Sequence, residues 1–119
     1  MSHELPQSLY TDIFKTGSSV ICNPPVTTTD EDWMFLTKDM VEGTTYLIEN
    51  DWVICGEEYS DKRGVNWLAL RKDKLNYLLT DDEVYFEKFL EATEIATKLN
   101  LLNKSDRITL FNLVLRDFR

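Results

Sequence analysis

The sequence predicts an α+β domain in which a small mixed β-sheet is covered by flanking helices. Three observations lead to this prediction. Residues 30–36 have a polar-to-apolar strand pattern, two β-rich runs at 67–71 and 75–80 are close enough to form a hairpin, and a long amphipathic helix pattern follows them. No repeat, low-complexity tract or Gly/Ser linker divides the chain, so residues 1–119 are treated as a single domain.

The N-terminal region is predicted to begin with a short helix. Leu9, Ile13 and Phe14 recur at helical spacing within residues 7–15, and Gly17 would end that helix in a tight turn. We therefore expect a helix and a turn before the first strand.

The middle of the chain is predicted to alternate strands with one helix. Residues 30–36 (D-E-D-W-M-F-L) suit a strand whose second half is buried on both faces. Residues 38–50 carry apolar positions that favour a helix. Residues 52–55 are typical of a short buried strand, and a charged loop is expected at 56–64.

The C-terminal half is predicted to form a hairpin and two helices. Only residues 72–74 separate the two β-rich runs, so the runs should pair antiparallel. Thr80 or Asp81 can cap the next helix, and Ser105 can cap the last one. The apolar stripes are Phe86, Phe89, Leu90, Ala92, Ile95, Ala96 and Leu99 in the first helix, and Ile108, Phe111, Val114 and Leu115 in the second.

Charge and composition argue against several classes of protein. The chain has 13 lysines and arginines against 21 aspartates and glutamates, a net charge of -8, so nonspecific binding of duplex DNA is not expected. The single histidine, His3, lies beside the start of the chain, which argues against a Ser-His-Asp or Cys-His catalytic site. Cys22 and Cys55 are too few for a disulfide scaffold. Because there is neither a membrane-spanning apolar run nor a signal-peptide pattern, we expect no membrane contact and a reducing, cytoplasmic setting.

One motif points to chemistry. A Gly-Ser turn at Gly17 and Ser18 is followed, after a gap of eleven residues, by Asp30 and Asp32 at the start of the first predicted strand. Side chains at i and i+2 of a strand share a face, with Cα atoms about 6.5–7 Å apart, so one divalent cation can bridge both carboxylates. Mg²⁺ takes one or two protein carboxylates and completes its octahedron with phosphates and water. Because the N–H groups and hydroxyl of a Gly-Ser turn suit phosphate, the motif predicts a site for a magnesium nucleoside triphosphate.

This motif resembles that of the nucleotidyltransferase superfamily related to DNA polymerase β. The stretch at residues 71–111 is similar to the second half of small nucleotidyltransferase-like proteins of tailed bacteriophages, and the two regions together cover residues 14–115. The resemblance implies a nucleotidyltransferase-like fold in which the two aspartates hold Mg²⁺ and the triphosphate. It further implies transfer of a nucleotidyl group to a hydroxyl acceptor, with a host protein or an RNA as candidates, in the host bacterial cytoplasm.

The resemblance also assigns roles to residues of the predicted hairpin. The family's third carboxylate, which would act with Asp30 and Asp32, corresponds to Asn76. The amide oxygen of Asn76 can bind a cation, but the side chain brings no charge and cannot act as a base. Arg71 and Lys72 lie near the same predicted sheet edge and are candidate ligands for phosphate.

Each of these residues also has an ordinary structural interpretation. Asp30 and Asp32 could be solvated residues at the start of a strand, Gly17 a helix stop, and Arg71 and Lys72 surface charges of the hairpin.

A second hypothesis concerns the whole chain: a catalytically inactive acidic phage protein that binds and inhibits a host factor. An enzyme should collect its acids around the aspartate pair beside a basic rim, whereas a mimic of nucleic acid should spread them along an exposed face. For the nucleotidyltransferase interpretation, a partner or an oligomer could be needed to complete the site.

Overall fold

The computed structural model describes residues 5–22, 31–55 and 66–116. The elements in these ranges are a short 3-10 helix (Gln7–Leu9), β1 (Tyr10–Thr16), α1 (Ser18–Ile21), β2 (Glu31–Thr37), α2 (Met40–Glu49), β3 (Val53–Cys55), β4 (Trp67–Lys72), β5 (Leu75–Thr80), α3 (Glu83–Leu99) and α4 (Lys104–Arg116).

The five strands form one mixed sheet in the order β1-β2-β5-β4-β3. The β2–β5 pair is parallel, whereas β1–β2, β5–β4 and β4–β3 are antiparallel. The predicted hairpin is present as β4 and β5, and Asp73 in its turn has a left-handed φ of 55°. The chain is therefore an α+β protein with a small mixed sheet and flanking helices, as the sequence predicts.

The helix predicted at residues 7–15 is wrong, because most of this segment is strand β1. Ile13 and Phe14 are neighbours in the sequence but lie on opposite faces of the sheet. Phe14 packs edge-on against Phe86 of α3 at 5.1 Å between ring centroids, while Ile13 joins the core on the other face. Pairing with β2 therefore overrides the apparent helical spacing.

Two apolar cores lie on the two faces of the sheet. One is buried between the sheet and the pair α3 and α4, and the other lies on the face that α2 covers. The first contains Ile21, Met34, Tyr85, Phe86, Phe89, Ala92, Ala96, Phe111 and Leu115; the second contains Leu5, Phe35, Leu47, Trp52, Leu70, Tyr77 and Leu79. Met34 and Phe35 thus bury both faces of β2, as predicted for that strand.

The caps of the last two helices differ from the prediction. Asp82, rather than Thr80 or Asp81, caps α3, because its extended backbone lets the carboxylate accept from the N–H of Tyr85 at 2.9 Å. The Thr80 hydroxyl instead accepts from the N–H of Asp82 at 3.1 Å. At the start of α4, Asn103 accepts from the N–H of Ser105 at 2.9 Å, so the side chain of Asn103 takes the capping role predicted for Ser105.

Strand β3 is not buried as predicted. It is an edge strand that pairs with β4, and Val53 and Ile54 are 66% and 52% exposed. The buried residue of this segment is Trp52, which precedes the strand and is 3% exposed. The charged loop predicted at residues 56–64 lies outside the described residues.

No helix within the described parts of the chain is both long and apolar enough to span a membrane.

Candidate functional site

Strand pairing brings four polar residues into one line across the sheet. Thr16 of β1 is in register with Asp32 of β2, Asp32 with Asn76 of β5, and Asn76 with Arg71 of β4. Residues in register project from the same face of a sheet. Thr16 contacts Thr93 of α3, so this face is the one that α3 covers. We call Thr16, Asp32, Asn76 and Arg71 the Asp32 row.

Gly17 lies directly against the carboxylate of this row. A Cβ atom at Gly17 would overlap Oδ2 of Asp32 and lie 2.9 Å from its Cγ, so no larger residue fits without movement. Gly17 also has a left-handed φ of 83°, which costs an L-residue free energy. The backbone and the carboxylate can approach so closely only because position 17 has no side chain.

Asn76 stabilises the same carboxylate from the neighbouring strand. Its Nδ2 donates a hydrogen bond of 2.8 Å to Oδ1 of Asp32. A carboxylate at position 76 would instead meet a like charge at this distance, and such a pair is stable only with a shared proton or a cation. With asparagine at position 76, the Asp32 carboxylate receives a charge-assisted hydrogen bond where a second carboxylate would repel it.

The structure separates the two cations that the sequence proposes as phosphate ligands. Arg71 is exposed and belongs to the Asp32 row. Lys72, the next residue in β4, projects from the opposite face, where its Nζ donates a 3.0 Å hydrogen bond to the carbonyl of Asn50 at the end of α2. Arg71 therefore lies on the same face as the Asp32 carboxylate, two strands away, and Lys72 lies on the other face.

Two further residues of the predicted site are Asp30 and Ser18. Asp30 lies outside the described residues, so the prediction that it shares a face with Asp32 stays a prediction. Ser18 begins α1, directly after Gly17, and only its backbone is described.

The corner where Gly17 meets the Asp32 carboxylate offers one oxygen ligand for Mg²⁺. Among residues 5–22, 31–55 and 66–116, no three His, Cys, Asp or Glu side chains are close enough to hold a metal ion. Asp32 supplies one carboxylate, set against a backbone without a side chain. Because Mg²⁺ takes only one or two protein carboxylates when phosphates and water supply the rest, Asp32 fits such an ion.

The sequence interpretation missed two hydroxyl groups at the end of the row. Thr16 and Thr93 are buried, and their Oγ1 atoms are 2.8 Å apart. The sequence did carry one signal for this pair: Thr93 is a polar residue on the apolar stripe of α3, between Ala92 and Ala96. A buried hydroxyl needs a hydrogen-bond partner, so a polar neighbour could have been expected there.

A groove of about 440 Å³ lies away from this corner. It is formed by α2 and the start of β4, and its lining residues are Met40, Val41, Thr44, Thr45, Asn66, Trp67 and Leu68. None of the Asp32 row lines this groove.

Comparisons of the chain with protein-family models, with curated proteins and with solved structures found no match. The resemblance to nucleotidyltransferases thus rests on the sequence motifs alone, and the structure shows an α+β protein with a five-stranded mixed sheet.

Proposed function

We propose that this protein binds the phosphates of a nucleoside triphosphate together with Mg²⁺ at the corner where Gly17 meets Asp32, with Ser18 and Asp30 as further ligands. The observation that carries the proposal is the contact between Gly17 and the Asp32 carboxylate. It sets the half-buried main chain at Gly17, which lacks a side chain, beside a hard oxygen ligand for a cation.

The ion and the arginine have complementary roles in this proposal. Asp32, together with Asp30, would hold Mg²⁺, which neutralises the charge of the triphosphate when bound. Arg71 projects from the same face two strands away and would donate to phosphate oxygens through its planar guanidinium group.

Asn76 argues for binding without efficient turnover. The amide cannot take a proton from an attacking hydroxyl, and it already donates to Oδ1 of Asp32. We therefore propose that the natural chain holds its nucleotide, and that nucleotidyl transfer to a host protein or RNA would need a carboxylate at position 76.

Calorimetric titration with the four ribonucleoside triphosphates, with and without Mg²⁺, tests this proposal. Asp32→Asn should abolish Mg²⁺-dependent binding, because it removes the charge while keeping the acceptor for Asn76. Asp30→Asn should weaken it. Asp12→Asn is a matched control, since Asp12 is exposed and pairs with Leu36 at the other end of the β1–β2 ladder. Absence of binding by the natural chain, or equal binding by Asp32→Asn, would contradict the proposal.

A second candidate function, binding of a basic host factor, is supported by a different surface. Glu83, Glu87, Glu91 and Glu94 are all exposed on α3, at helical spacings that bring them to one side of the helix. Of this group, Glu91 makes an ion pair with Lys88 at 3.2 Å. Acids spread along an exposed helix face are the arrangement expected of an electrostatic mimic.

Neutralising this helix face separates the two candidates. Binding of a purified basic host factor should weaken as the salt concentration rises. It should be lost when the four glutamates are changed to glutamine. Glu42→Gln/Glu49→Gln on α2 controls for a general change in charge. Nucleotide binding should be unchanged in the glutamine variant if the corner at Gly17 is the functional site.

A further inference from the structure

A buried pair of hydroxyl groups lies directly beneath the corner at Gly17. Thr16 and Thr93 are 3% and 4% exposed, and their Oγ1 atoms are 2.8 Å apart. Thr16 immediately precedes Gly17 and is the cross-strand neighbour of Asp32. The pair therefore connects α3 to the residues that form the proposed site.

The direction of the hydrogen bond between the two hydroxyls follows from a second contact. The Thr93 hydroxyl donates to the carbonyl of Phe89 at 3.0 Å. Since a hydroxyl group carries one proton, Thr93 can only accept from Thr16. The proton of Thr16 is thus directed toward α3 and away from the neighbouring carboxylate of Asp32.

We propose that Thr93 is a positioning residue: its hydroxyl oxygen accepts the hydrogen bond of the Thr16 hydroxyl and thereby keeps that hydroxyl from donating to the Asp32 carboxylate. The inference deepens the proposed function and rests on it, because it assumes that Asp32 receives the ligand. Thr93 acts only through Thr16 and does not touch the nucleotide.

Loss of the Thr93 hydroxyl would leave the Thr16 proton buried without its acceptor. In-register residues of an antiparallel pair have Cβ atoms roughly 4.5–5.5 Å apart, so a change of one staggered rotamer can bring the Thr16 hydroxyl within reach of Asp32. A hydrogen bond from a hydroxyl to a carboxylate is strong, and an incoming ligand would have to displace it.

Four variants distinguish this proton effect from simple packing. Thr93→Val keeps the shape and removes the acceptor, so the dissociation constant of ATP with Mg²⁺ should rise roughly tenfold. Thr93→Ser should restore it. The double variant Thr16→Val/Thr93→Val should bind within about twofold of the natural chain, because no hydroxyl proton remains and both partners are replaced by apolar groups. Thr97→Val removes a comparable hydroxyl one turn along α3, which donates to the carbonyl of Thr93, and should have no effect on binding.

A crystal structure of Thr93→Val supplies a measurement that does not depend on nucleotide. We expect the Thr16 hydroxyl to face the Asp32 carboxylate in that variant. A Thr16 side chain that still faces α3, or a double variant that binds as weakly as Thr93→Val, would overturn the inference. If the natural chain bound no nucleotide, the proposed function would fail, while the orientation of Thr16 in the crystal would still decide the role of Thr93.

Discussion

The two faces of the sheet use their charged side chains differently at the end where β2 and β5 begin. On the face that α2 covers, Lys15 and Glu31 form an ion pair of 3.5 Å, and Trp33 Nε1 donates to the same glutamate at 3.1 Å. Lys72 on this face donates to the end of α2. On the α3 face, the carboxylate of Asp32 lies against Gly17 and accepts from the amide of Asn76 instead.

The difference shows that a shift of one residue along a strand decides the role of a charged side chain. On one face it forms a local pair, and on the other it is a candidate ligand. Glu31 and Asp32 are adjacent acids on opposite faces, and Arg71 and Lys72 are adjacent bases on opposite faces. The α2-face charges are engaged by side chains and a helix end. On the α3 face, the Asp32 carboxylate instead lies against Gly17, the one left-handed glycine of the described residues. Four substitutions, in order of decreasing effect, test this contrast.

Gly17→Ala should be the most damaging, lowering the free energy of unfolding by about 3 kcal/mol, because a left-handed backbone and overlap with Asp32 both oppose a Cβ atom. Gly43→Ala is the matched change on the α2 face. Its Cβ would lie 3.2 Å from the flexible Leu79 side chain, and alanine favours the helix, so the net change should be small. Urea denaturation measures the free energy of unfolding of both variants. Equal losses would contradict the contrast between the two faces.

Asn76→Asp should lower the free energy of unfolding by about 1.5 kcal/mol without metal, because two carboxylates then face each other. Mg²⁺ should reverse the loss and, when a hydroxyl acceptor is supplied to take the nucleotidyl group, allow release of pyrophosphate from a labelled triphosphate. Asn66→Asp is the matched control, since Asn66 is exposed and donates to Asp81 at 3.3 Å, where water screens the new repulsion. Thermal unfolding with increasing Mg²⁺ tests the difference. A Mg²⁺ response no larger than that of the control would contradict it.

Arg71→Met should weaken binding of ATP with Mg²⁺ about fivefold, or roughly 1 kcal/mol, because one charged phosphate contact is lost. Lys72→Met, the next residue along β4, should leave the affinity unchanged because Lys72 is on the other face. Calorimetric titration compares the two variants, and a larger effect at position 72 would reverse the assignment of faces.

Lys15→Met should have the smallest effect, under about 0.5 kcal/mol on unfolding, because the ion pair with Glu31 is partly exposed and screened by solvent. Denaturation at low and high salt should show that the difference shrinks as salt rises. A loss comparable to that of Asn76→Asp would mean that the α2-face charges matter as much as the Asp32 row.

Much of the architecture could be predicted from local sequence, because patterns of burial repeat within single elements. The polar-to-apolar pattern identified β2, the two closely spaced β-rich runs identified the hairpin, and the apolar stripe identified α3. Residues 10–16 were misassigned because apolar residues at spacings of four and one fit a helix face as well as a strand with two buried faces. Only pairing with β2 decides between these alternatives.

The candidate site was less predictable because it depends on register. The hairpin turn contains two residues rather than the three predicted, so Lys72 lies inside β4 and its side chain projects away from Asp32. The contact between Thr16 and Thr93 joins residues 77 positions apart. No local pattern specifies the face of Lys72 or the contact between Thr16 and Thr93. Asp32 and Asn76, by contrast, could be linked through the family resemblance.

Parallel pairing of β2 with β5 has a consequence for biosynthesis. The hydrogen-bonded partners Asp32 and Asn76 are 44 positions apart, and parallel strands cannot be joined by a tight turn. During translation, the carboxylate and its glycine neighbour emerge from the ribosome well before the amide that completes their surroundings. The corner is therefore completed only after the hairpin has been synthesised and docked, so a nascent chain arrested before β5 carries both motif halves without the amide that donates to the Asp32 carboxylate.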